Sequence, residues 1–190
     1  MKIYTKKYII FVLITILSFL IIGCSKKTNE NAYKYISDID YLDSNLKLHP
    51  NSFINDEISQ EDFDNKIDEI KNDINNKDMS DFDINYRIKE IFSMAKDGHA
   101  CFYDSQELLE RDRYFPFLGH YFDNDYYIVS CLPELIDREQ LLGSKLISIN
   151  NISMKEIEER YDKIVSNDNS QWLKVQITSC PFSESAFKYF

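Results

Sequence analysis

Three apolar stripes at helical spacing, two of them opened by the same cap, constrain this chain more than any other feature. Ser59 with Asp62, and Ser80 with Asp83, set a hydroxyl ahead of a carboxylate that can reach back to it, the arrangement of a capping box. Behind the first cap, Phe63, Ile67, Ile70 and Ile74 share one helix face, and Asp64, Lys66, Asp68, Glu69 and Lys71 take the other. Asn75 and Asn76 end that helix. Behind the second cap, Ile84, Ile88, Ile91 and Ala95 run on toward Asp97-Gly98. Ahead of both, Tyr35, Ile39, Leu42 and Leu46 form another stripe, stopped by His49-Pro50. The spacing therefore predicts a three-helix unit over residues 32–100.

Past that point the pattern changes. Tyr114 to Asp123 is aromatic and broken by Pro116 and Gly119, and Asp123-Asn124-Asp125 signals a turn. Tyr126 to Cys131 is rich in β-formers and reads as a strand. Pro133 to Gln140 reads as a loop or short helix, and Lys145 to Ile149 as a short buried strand ending at the turn Asn150-Asn151. Ser153 with Glu156 caps a helix carrying Ile157, Tyr161 and Ile164. Trp172 to Ile177 fits either a strand or a helix. The fold class expected is α+β, with a small β-rich unit over residues 101–190.

The N-terminus carries a different signal. Lys2, Lys6 and Lys7 are followed by an uncharged run from Tyr8 to Ile22, and then by Ile21-Ile22-Gly23-Cys24. A basic start, an apolar stretch and a small residue before the cut make a secretion signal. A cysteine directly after the glycine makes it a lipoprotein signal, because the thiol forms a thioether to diacylglycerol before cleavage. The apolar run is shorter than the roughly 20 residues that a membrane span needs. The expectation is a signal peptide over residues 1–23, lipidation at Cys24, a polar tether over 24–31, and a protein held by its lipid on the extracytoplasmic side of a cell membrane.

Charge agrees with attachment by lipid rather than by a basic patch. Removing residues 1–23 takes three lysines from a chain already at −10, so the remainder sits at −13. Such a surface repels nucleic-acid phosphates and anionic headgroups, and no nucleic-acid partner is expected. Thirteen tyrosines and thirteen phenylalanines give enough aromatic mass for a core, while four glycines and four prolines exclude collagen-like sequence. Beyond Cys24 the cysteines are Cys101, Cys131 and Cys180, too widely spaced for a paired-cysteine metal or redox motif. The histidines His49, His99 and His120 are not clustered with acids or thiols at zinc-ligand spacing. Neither a metal nor a cofactor is expected.

Several weak signals fall in an order that resembles a known family. Leu48-His49-Pro50, the helix begun by Phe63, and Met94-Ala95-Lys96-Asp97-Gly98-His99-Ala100 resemble the helical start of tail-specific and tricorn-type serine peptidases. Leu142-Gly143-Ser144-Lys145-Leu146-Ile147-Ser148-Ile149-Asn150-Asn151 resembles the strand and turn of the PDZ-like part of these enzymes, with Asn151 where glycine is usual. Met154 to Tyr161 is similar to the helix that follows, and Trp172-Leu173 to a later segment.

The resemblance implies a PDZ-like character for residues 101–190 and proteolysis of peptides or unfolded proteins as the family activity. It also implies that His99 stands at the position of a general base for a serine nucleophile. The nucleophile of such enzymes lies in a later α/β domain, and Ser144, Ser170, Ser179, Ser183 and Ser185 sit in no nucleophile-elbow pattern. The chain is therefore expected to be truncated before that domain and inactive by itself. Two alternatives stand beside this: a surface lipoprotein that binds peptides without cutting them, and a structural lipoprotein without a ligand. For His99 the alternative is a helix-end residue bonded to a backbone carbonyl.

Overall fold

The computed structural model describes residues 30–48, 58–135, 137–179 and 182–190. Cys24, His49 and Cys180 lie outside them. Residues 34–190 fall in one compact unit, a mixed α and β structure.

Helix α1 (Glu30–Leu46) buries Ile39 and Leu46, as its stripe requires. Helices α2 (Gln60–Asn76) and α3 (Asp81–Met94) both begin with complete capping boxes. The hydroxyls of Ser59 and Ser80 accept from the amides of Asp62 and Asp83, whose carboxylates accept in return from the cap amides. Phe63, Ile67, Ile70 and Ile74 are buried as expected. Helix α3 departs from its expected stripe. It buries Asn85, Tyr86 and Ser93 besides Ile84 and Ile91, while Ile88 is only half-buried. The reason is that α3 has neighbours on two sides, α2 and helix α8 (Glu184–Tyr189). The Tyr86 ring stacks on Tyr189 at 4.9 Å between centroids.

Residues after 100 add helix α4 (Gln106–Arg111), which the sequence pattern did not signal, and an antiparallel hairpin of β1 (Phe117–Phe122) and β2 (Asp125–Cys131). The aromatic stretch read as broken is thus a strand. The pairing with β2 shifts register between Leu118 and Gly119, and Gly119 makes room there, because a Cβ would lie 1.9 Å from the Tyr126 ring. The hairpin turns through Asp123 and Asn124, both at positive φ, the conformation that two-residue hairpin loops demand. Along the other edge of β2, the amides of Ile128 and Leu146 and the carbonyls of Ser144 and Tyr126 pair, so the segment expected as a strand from Lys145 begins as an extension of this sheet. Only Ser148–Ile149 (β3) is a strand of its own. It pairs with β4 (Ile152–Ser153) through Asn150 and Asn151, again at positive φ.

Helices α5 (Arg138–Leu141), α6 (Met154–Tyr161) and α7 (Ser170–Ser179) complete the order, so Trp172 to Ile177 is helical. Helical residues outnumber strand residues over 101–190. The part expected to be β-rich is therefore mixed, because the aliphatic residues of α6 and α7 fall at helical rather than alternating spacing. Tyr126, Ile149, Met154, Ile157, Leu173, Ile177 and Phe182 form its main core.

Charged side chains lace α2 to α3. Arg87 binds Asp73, Glu69 and Glu90, and Asp73 also binds Lys77 at 2.7 Å. The hydrogen bond from Lys77, then that from Arg87, hold the Asp73 carboxyl below the usual carboxylate range. A carboxyl lowered in the folded state adds stability above its unfolded value, and that stability is lost as pH falls through the folded value. Asp73→Asn is expected to flatten the loss of stability below about pH 4 seen in urea titrations of the parent chain. Ile91, fully buried in α3, is expected to cost about 2–5 kcal/mol on replacement by alanine, read from the shift of the same urea midpoint.

Candidate functional site

The end of α3 builds the site around His99. Ala95 caps the helix, and Lys96 takes a positive φ of 47°, a costly turn for a residue with a Cβ. The chain then doubles back through Asp97, Gly98 and His99. The Asp97 side chain is buried, and its Oδ1 accepts from the His99 amide at 2.9 Å. The Asp97 carbonyl accepts from the Ala100 amide at 3.0 Å and from the Ser166 hydroxyl at 2.8 Å, and the Asp97 amide faces Ser166 Oγ at 3.3 Å.

His99 itself points outward. Its side chain is 92% exposed, and Nδ1 stands 3.4 Å from Asp97 Oδ1, longer than a good hydrogen bond. The ring thus turns Nδ1, rather than Nε2, toward the buried Asp97 carboxylate. Cys101 follows with an exposed thiol, whose Sγ is 3.9 Å from the Gly98 carbonyl oxygen.

A residue of α7 closes the turn from behind. Trp172 Nε1 donates to the Gly98 carbonyl at 3.1 Å. The indole lies so close that a Cβ on Gly98 would sit 2.5 Å from Nε1 and 2.6 Å from Cδ1. Gly98 is therefore required by proximity, not by an unusual φ. Neither Ser166 nor Trp172 was singled out for this role from sequence. The available signal was the glycine, which in such a turn marks a close approach from elsewhere in the chain.

The other expected residues are not brought here. His120 lies on β1, exposed and beside the Phe122 ring at 5.9 Å. Among the described residues no serine hydroxyl is hydrogen-bonded to the His99 ring. Ser144 and Ser179 bond to carbonyls of their own segments. Ser183 and Ser185 turn inward, where Tyr86 Oη lies 3.2 and 2.7 Å from their hydroxyls, and Ser185 donates to Asp112 at 2.5 Å. They fasten α8 to α3 and are too buried to meet a substrate. No group of three or more histidine, cysteine, aspartate or glutamate side chains among the described residues is placed to hold a metal ion.

A separate cleft of about 590 Å³ opens between α1, α3 and α4. Its walls include Ile39, Leu42, Ile88 and Phe92, and Tyr41 and Tyr103 stand exposed among its lining residues. Its lining does not include His99.

Crowding at Gly98 gives a direct check. Gly98→Ala is expected to destabilise the chain by about 1–3 kcal/mol in chemical denaturation, because the indole must shift to admit the methyl group. In comparisons with known proteins, no protein-family model matches the sequence, and no curated protein and no solved structure matches it.

Proposed function

We propose that this chain is a membrane-anchored lipoprotein, lipidated at Cys24 on the extracytoplasmic side, whose body is built like the helical start and PDZ-like part of tail-specific and tricorn-type serine peptidases. His99 stands at the base position of that family. One observation carries the reading: a buried carboxylate, Asp97, faces Nδ1 of an imidazole whose other nitrogen is open to solvent. That is the base and its orienting group, two of the parts that acyl transfer to a serine needs. The nucleophile is not among the described residues, and a base without one has nothing to activate. On this reading the described residues do not cleave peptides by themselves, and peptides or unfolded proteins are the partners.

A second reading, peptide binding without cleavage, is favoured by the outer face of the β1–β2 hairpin. Leu118, Phe122 and Val129 of the hairpin, and Leu132 just after it, are exposed, and exposed apolar side chains close together are of the kind that marks recognition of another chain.

The test is made on the purified chain with a reduced, unfolded protein as substrate and a fluorescent peptide as ligand. No hydrolysis above background is expected. Hydrolysis that disappears in His99→Gln would show a complete active site and overturn the claim of inactivity. Saturable peptide binding that survives His99→Gln and weakens in Phe122→Ser is the outcome that favours the second reading. In cells fed a labelled fatty acid, the parent chain is expected to take up label and Cys24→Ser to take up none. Equal labelling of both would remove the lipid anchor from the proposal.

A further inference from the structure

We infer that Trp172, together with Ser166, is the positioning residue of the His99 turn, so that the two segments singled out separately in the sequence act as one device. The inference rests on the reading of His99 as a base. Asp97 can orient the imidazole only if the backbone of the turn stays fixed, and the turn has few fixings of its own. Within it, the Ala100 amide bonds to the Asp97 carbonyl and the Cys101 amide to the His99 carbonyl, both at 3.0 Å, and the His99 amide bonds to Asp97 Oδ1 at 2.9 Å. Its outer side is solvent.

The remaining fixings come from about 70 residues away in sequence. Ser166 binds both backbone groups of Asp97, and the Trp172 indole binds the carbonyl of Gly98 and fills the space where a side chain would be. Residues 97 and 98 are thus gripped one after the other, immediately before His99.

The gripping residues are held in turn. The Trp172 amide donates to Asn169 Oδ1 at 2.9 Å. The Asn167 side chain donates to Asp162 Oδ1 and to the Val165 carbonyl, both at 2.9 Å, which fixes the loop carrying Ser166 to the end of α6. Leu173, next to Trp172, is buried in the main core. The indole N–H is a single donor with a fixed direction, so its bond to Gly98 sets a distance and an angle that an apolar ring could not. A tryptophan serving only to fill volume would not need its nitrogen at a carbonyl. A glycine serving only to turn the chain would need a positive φ, which Gly98 does not have.

The readout is the tautomer of His99. The chain has three histidines, so their ring nitrogens can be resolved by long-range proton–nitrogen correlation on histidine-labelled protein. At a pH where the ring is neutral, the parent chain is expected to hold His99 mainly as the Nδ1–H form, facing Asp97. Trp172→Phe keeps a ring and loses the donor; Ser166→Ala loses the grip on Asp97 and little volume. Each is expected to shift His99 to the mixed population of a free imidazole while circular dichroism stays that of the parent. The inference is overturned if His99 keeps the parent tautomer in both variants, or in whichever of them folds. The base reading is judged separately. If the tautomer is lost as expected and the parent chain hydrolyses a small activated ester no faster than His99→Gln does, the positioning stands and the base falls.

Discussion

The Glu90 carboxylate stands where three helices meet. Its Oε2 pairs with Lys66 of α2 at 3.0 Å and with Arg87 of α3 at 2.8 Å, while Oε1 accepts from the Tyr189 hydroxyl of α8 at 2.7 Å. The Glu90 and Arg87 side chains are both largely buried. Charges so far from water are tolerated only when each has partners, and removing one partner leaves another stranded. The network therefore does more than add attraction. It fixes how α2 and α8 sit on the two sides of α3, and through α3 it fixes where Asp97 begins its turn.

The site inherits its geometry from that packing. Helix α3 delivers the turn, and the loop before α7 delivers Ser166. Ser93, near the end of α3, donates to the Lys163 carbonyl at 2.7 Å and ties the two deliveries together. The apolar residues of α7 hold Trp172 at the required depth. His99 is thus a solvent-facing side chain on a backbone held from inside.

The helices were legible because their signals are local. A serine, a carboxylate and a four-residue apolar rhythm report on the same short segment that they fold, and the caps at Ser59 and Ser80 are found where the sequence places them. Strand β1 was illegible for the opposite reason. Pro116 and Gly119 look like breaks, and only the Tyr126 ring, brought over Gly119 by the hairpin, shows why a glycine belongs in that strand. The extra burial on α3 depended on α8, and the α4 helix on a serine cap before a stretch with no buried residue. At the candidate site the turn itself could be read, but its supports could not. Nothing near residue 98 in sequence announces an indole from residue 172.

The two-sided burial of α3 has a consequence for the order in which the chain can fold. The hairpins at Asn124 and Asn151 close locally and early, within microseconds of the residues being available. The contacts of Tyr86 with Ser185, and of Glu90 with Tyr189, span 99 residues and cannot form until the segment of α8 is present. A chain that emerges N-terminus first from a ribosome therefore carries one side of α3 uncovered until the residues of α8 have emerged. During that interval the aromatic face of Tyr86 is open to other chains, and whatever keeps it from associating must act before α8 arrives.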